Sequence, residues 1–204
     1  MINRMPARFT PTEVRALHNK KIFYIKTSAT EKTDALLASA RDVIKSEIKK
    51  QKIYFPKYVD AVNGKIYRGE NYLGLPYLIL DYPKHFSNDS VFAFRTMFWW
   101  GNFFSCTLHL QGKALDERRN HLINNWKTLR KKNIYMCANN TPWQYNYSKE
   151  NYKLIDKFSE SEIKLLFMTK EFIKLSRKTE IKNYKKLDKF CRESFTQLFT
   201  ASSL

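Results

Sequence analysis

The stretch Phe92–Gln111, FAFRTMFWWGNFFSCTLHLQ, decides the fold. Two strongly apolar runs meet at Gly101-Asn102. Gly-Asn between β-prone runs signals a hairpin, because Gly at the first central position supplies the positive φ of a type II′ turn. A two-residue turn places Trp100 opposite Phe103 and Phe98 opposite Ser105. Side chains alternate along a strand. One face then carries Ala93, Arg95, Met97, Trp99, Phe104, Cys106, Leu108 and Leu110, apolar except for Arg95. The other carries Phe92, Phe94, Thr96, Phe98, Trp100, Phe103, Ser105, Thr107, His109 and Gln111. This second face is an aromatic wall grading into hydroxyls and an imidazole. Neither face is a solvated one. The hairpin is expected to be covered on both sides, or covered on one and lining a cavity on the other.

Outward from the hairpin the texture stays β-like as far as Gly64. All five glycines lie between 64 and 112, among aromatic and branched residues. That mixture predicts strands near 65–68, 77–81, 91–100 and 103–110, with short links that make an antiparallel meander. A further short strand is expected over 134–138. On the N-terminal side, Thr10-Pro11-Thr12-Glu13 reads as a capping box with Pro at the first helical position. Ser28–Glu31 reads as a second box. Behind it Leu36, Leu37, Ala40, Val43, Ile44 and Ile48 form one helical stripe. Two helices with a short link are expected, one ending near Lys26 and one over 31–50. On the C-terminal side, Leu115, Leu122, Ile123, Trp126 and Leu129 predict a helix over 113–131. Residues 139–152, NNTPWQYNYSKENY, are polar, aromatic and irregular, as loops over a site often are. Ser159 with Glu162 is a third capping box, followed by Ile163, Leu166, Phe167 and Ile173 at helical spacing. A last helix is expected over 180–199.

The fold class is therefore α+β. A mainly antiparallel sheet of about four to five strands, centred on the 91–110 hairpin, is packed by an N-terminal helical pair and by C-terminal helices. A length of 204 residues suits a single domain. Its parts are helical over 1–63, a sheet with one helix over 64–138, and a loop with helices over 139–204. A hydrophobic fraction of 43% excludes a disordered chain. No run of about 18 apolar residues is present, so no transmembrane helix is expected. The opening MINRMPARFTPTEV lacks a signal-peptide core, and Cys106, Cys137 and Cys191 make no disulfide framework. A cytoplasmic location is the expectation. The net charge of +18 sits on the flanking, helix-prone segments. Such charge attracts polyanions without specifying one.

Arg95, on an apolar face, needs a buried acceptor. Asp81 in the preceding strand and Glu70 in the preceding loop are the candidates. The pair would fix the sheet, or the guanidinium would be offered to an anion. His109 shares its face with Ser105, but about 13 Å of strand separates them. Cys106 points the other way. No nucleophile or acid–base pair is assembled by spacing, so no enzyme is assigned. His18, His85, His109 and His121 are scattered without HxxxH, HxxE or CxxC spacing, and neither a metal site nor a cofactor is expected. The first reading of function is a pocket for a small anionic or aromatic ligand between the hairpin's hydroxyl–imidazole face and residues 139–152. Thr96, Trp100, Ser105, Thr107 and His109 would line it, with Arg95 orienting. The second is sequence-independent nucleic-acid binding through Lys and Arg of 41–52, 113–132 and 170–192. The third is a homodimer through the aromatic face. The amphipathic helices are expected to cover the sheet or each other rather than a membrane.

Overall fold

A computed structural model describes residues 8–202. Seven strands form one antiparallel sheet: β1 Lys65–Tyr72, β2 Leu75–Phe86, β3 Ser90–Trp99, β4 Phe103–Gly112, β5 Tyr135–Cys137, β6 Tyr152–Leu154 and β7 Phe172–Glu180. Their order in space is β1-β2-β3-β4-β7-β5-β6. The helices are α1 Pro11–His18, α2 Lys20–Lys50, α3 Lys113–Asp116, α4 Arg119–Asn125, α5 Glu160–Thr169 and α6 Leu187–Thr200. The α+β class and the antiparallel sheet are as the sequence indicates. The strand count is larger than four to five, because β6 and β7 join the sheet beyond β4.

The β3–β4 register differs from the expected one by a single residue. Trp99 lies opposite Phe103, Arg95 opposite Thr107 and Ala93 opposite His109. The Asn102 N–H donates to the Trp99 carbonyl at 3.1 Å, so the turn spans 99–102 and Gly101, at φ +70°, is its third residue. Trp100 leaves the ladder and donates its N–H to the Pro76 carbonyl at 3.1 Å. The slip re-pairs the faces. Phe92, Phe94, Thr96 and Phe98 now share a side with Phe104, Cys106, Leu108 and Leu110. Arg95, Met97 and Trp99 share the other with Phe103, Ser105, Thr107 and His109. This register buries the greasy halves of both strands together, and burial is what fixes register in a sheet.

Helices α2 and α6 cover much of the greasy side, and Leu115, Leu122 and Phe167 of α3, α4 and α5 join the same core. In α2 the buried residues Thr33, Leu37, Ala40, Ile44 and Glu47 recur every three or four positions. From α6 come Leu187, Cys191, Phe195, Leu198 and Phe199. Phe195 meets Phe94 edge-on, with ring centroids 5.2 Å apart. Thr96 is fully buried here, its hydroxyl 3.8 Å from the Cys106 sulfur, and Trp100 packs on Phe98.

The capping boxes at Thr10 and Ser159 open α1 and α5 as read. The box at Ser28 does not open a helix. With neither Gly nor Pro between 20 and 50, α2 runs straight through it, and the break falls at Asn19 (φ −85°, ψ 80°). The helix expected over 113–131 is divided into α3, α4 and a 3-10 turn, Trp126–Leu129. Ile173 belongs to β7 and not to a helix. Finally, α1 buries none of its residues, so it covers neither the sheet nor a neighbour as expected of an amphipathic helix.

Candidate functional site

The polar side of the sheet is organised as rows of cross-strand partners. One row runs Asp81, Arg95, Thr107, Ser176 and Tyr135 across β2, β3, β4, β7 and β5. A second sets Ala93, His109 and Lys174 side by side, and a third Ile79, Met97, Ser105 and Lys178. The loop 139–152 lies over these rows, as its composition suggested. It carries Trp143, Tyr145 and Tyr147 onto the sheet. Trp143 stands edge-on to His109 at 5.7 Å, and Tyr147 edge-on to Phe103 at 5.0 Å. Tyr72 at the end of β1 anchors the loop. Its hydroxyl accepts the N–H groups of Tyr145 and Asn146 at 2.7 and 3.0 Å.

Of the residues proposed to line a pocket, the structure brings Arg95, Ser105, Thr107 and His109 to this one face. Thr96 and Trp100 are on the helix-covered side, a consequence of the register. Arg95 takes Asp81 as its partner. Its Nε and Nη2 donate to Oδ1 and Oδ2 at 2.7 and 2.8 Å, and Nη1 donates to the Tyr145 hydroxyl. Burial disfavours the guanidinium charge, but the Asp81 carboxylate outweighs it, and the Arg95 pKa is raised. Glu70, the other candidate acceptor, pairs instead with Lys26 at the surface.

Thr107 and Ser176 exchange a hydroxyl hydrogen bond of 2.6 Å, and the Tyr147 hydroxyl meets the same Ser176 oxygen. Lys174 is almost fully buried without a carboxylate. Its ammonium donates to the carbonyls of Pro142 and Gln144, each at 2.7 Å, and lies 4.6 Å from the Tyr145 ring centroid. Burial, then the nearby Arg95 charge, pull its pKa down to about 7. His109 is buried with Nε2 unpartnered. Burial, with Lys174 and Arg95 close by, lowers its pKa to about 3, so the imidazole is neutral. This part of the face is filled by the loop. It is a closely packed, cation-rich floor.

The face opens where the hairpin bends. A hollow of about 690 Å³ is bounded by Trp99, Phe103, Asn146, Tyr147, Ser148 and Lys178. A second, of about 400 Å³, lies on the other side of Lys178 and is bounded by Asn102, Phe103, Tyr135, Thr179, Glu180 and Asn183. Lys178 stands between them. Its ammonium is 4.7 Å from the Tyr147 ring centroid and 5.7 Å from those of Phe103 and Tyr135. Among the described residues it meets no carboxylate or hydrogen-bond acceptor. The lining carboxylate, Glu180, is paired with Lys182 at 2.6 Å.

No family model, curated protein or solved structure matches this chain. Its site is therefore read from its own geometry. Among the described residues no three His, Cys, Asp or Glu side chains converge where a metal ion could sit.

From the sequence, Lys174 and Lys178 enter only within the basic stretch 170–192 proposed for nucleic acid, and Ser176 not at all, because β7 is not read there as a strand. The signal was present. In FIKLSRKTE, Ile173, Leu175 and Arg177 alternate with Lys174, Ser176 and Lys178, a period of two and not of 3.6.

Proposed function

We propose that the protein binds a small anionic ligand with a flat, aromatic part at the bend of the β3–β4 hairpin. Lys178 takes the anionic group, and Trp99, Phe103 and Tyr147 take the flat part. The reading is carried by one observation. An exposed ammonium is held over three rings, between two hollows, with no acid to neutralise it. Ring faces stabilise a cation without satisfying its hydrogen bonds, which leaves it able to take an acceptor from a ligand. Behind the site Arg95 is matched by the buried Asp81 carboxylate, which leaves Lys174, without an acid of its own, to bias the face toward anions. Ser105, opposite Lys178 in the sheet, belongs to the floor beneath the hollow, while Thr107 and His109 stiffen that floor.

Amide and indole NMR signals of the full chain report the test, with phenyl phosphate, benzoate, inorganic phosphate and benzylamine as probes. Phenyl phosphate and benzoate should shift the Trp99 indole and the amides around Lys178, phosphate less, and benzylamine not at all. Lys178→Ala should weaken phenyl phosphate by about tenfold. Signals that stay in place with every anion, or that move as much with benzylamine, would dismiss the reading.

A further inference from the structure

Helix α1 and the start of α2 carry a surface that the sheet and the other helices leave uncovered. Phe9, Leu17, Ile22, Phe23, Tyr24 and Ile25 are each more than half exposed. A cleft of about 250 Å³ lies between α1 and the start of α2, walled by Phe9, Ala16, Leu17, Ile22 and Phe23 with Glu13 at its edge. The same segment is basic. Arg8, Arg15, Lys20, Lys21 and Lys26 face a single acid, Glu13, whose carboxylate is spent on the Thr10 cap. Lys26 pairs with Glu70, whereas Arg8, Lys20 and Lys21 meet no carboxylate among the described residues.

We infer that α1 and the first turns of α2 form a peripheral docking arm for an anionic lipid surface. Exposed aliphatic and aromatic side chains interleaved with unpaired cations are the mark of a helix lying in a membrane interface. Its lysine and arginine stems lie along the apolar layer while their heads reach lipid phosphates. Charge argues against a second copy as the occupant, since each chain carries +18. A nucleic acid would pair with the cations and leave Leu17 and Phe23 in water. A rigid protein groove reads one stripe of a helix, whereas Ile22, Phe23, Tyr24 and Ile25 are consecutive and point about 100° apart. A fluid apolar layer accommodates side chains that point sideways as well as down. Among the described residues no helix is long and apolar enough to cross a membrane, so the arm lies on the bilayer rather than through it.

The test is sedimentation of the full chain with phosphatidylcholine vesicles, and with vesicles in which about a third of the lipid is phosphatidylglycerol. The protein should pellet with the anionic vesicles and stay in solution with the neutral ones. Leu17→Glu with Phe23→Glu should lower the partition coefficient by about tenfold or more. Tyr54→Glu, at a still more exposed ring beyond the far end of α2 (88% exposed), should not change it. Lys20→Glu with Lys21→Glu gives the same readout should the first pair disturb the helices, and should weaken binding most at low salt. Absence of pelleting with anionic vesicles would overturn the inference. So would pelleting indifferent to both pairs of changes, which would assign the effect to lysines elsewhere. A dimer seen by light scattering that L17E/F23E disperses, without vesicles competing for it, would make the surface a contact between copies instead.

Discussion

Arg95 and Asp81 are the residues on which the polar face is hung. Asp81 is 3% exposed, and two guanidinium donors meet its two oxygens. Removing the arginine alone leaves a carboxylate in the sheet with no counter-charge. Arg95→Met should therefore cost about 3–5 kcal/mol. The double change Arg95→Met with Asp81→Leu should cost clearly less, since no bare charge is then buried. Urea denaturation of the two variants and the parent measures the difference. A double variant as unstable as the single would mean that the Tyr145 contact with Arg95, not charge pairing, carries the site. Lys174 is held otherwise. It has peptide carbonyls in place of an acid, so its charge is solvated by the covering loop and depends on the loop staying in place.

At the level of elements, the sequence is clearest where chemistry is local. The capping boxes at Thr10 and Ser159 and the two strands of the hairpin are legible because each is specified by neighbours in the chain. The Ser28 box has the same letters, but a helix that nothing interrupts propagates through it. The register of the hairpin was legible in principle. A turn with Gly101 third rather than second puts Arg95, Ser105, Thr107 and His109 on one face, and only tertiary burial selects between the two turns. The candidate site was read in part for this reason. Ser105, Thr107 and His109 fall together in the sequence reading but Arg95 falls on the opposite face, and the β7 residues stay hidden because Ile173 also fits a helical spacing. Glycines set the two ends of β4, and they are not equivalent. At Gly101 (φ +70°) an added methyl meets Leu75 at an ordinary 3.9 Å, so Gly101→Ala should cost about 1 kcal/mol from backbone strain. At Gly112 (φ 55°, ψ −136°) a methyl would overlap the Asp89 carbonyl in the turn before β3. Gly112→Ala should therefore be several-fold more destabilising than Gly101→Ala in thermal melts. It should also speed amide exchange at Ala114, whose N–H donates to the Ser90 hydroxyl at 3.1 Å. Equal melting temperatures would refute the close approach.

For the molecule as a whole the decisive feature is how little acid lies near its buried bases. His109 and Lys174 are neighbours on adjacent strands, and both are pulled toward the neutral form by burial. The folded His109 value, about 3, lies below the unfolded 6.5, so the unfolded chain takes up the proton first. Stability therefore falls as pH drops through 6.5 and goes on falling toward 3. For Lys174 the corresponding window is about 7 to 10.5, and across it stability rises with pH. Carboxylates titrate elsewhere. Hydrogen bonds hold those of Glu13, Asp60, Asp89, Glu150, Glu160 and Glu162 below their usual range, so their stabilising effect is lost at lower pH. The interval from about pH 6.5 to 4.5 belongs mainly to His109. Across it, wild type should lose about 2–3 kcal/mol more than His109→Gln, which has no imidazole to charge. The comparison uses the slope of unfolding free energy with pH in urea titrations, so any fixed cost of the substitution cancels. Parallel slopes would mean that the imidazole gains a proton without the sheet giving way, and the closely packed, cation-rich floor assigned to this face would have to be abandoned.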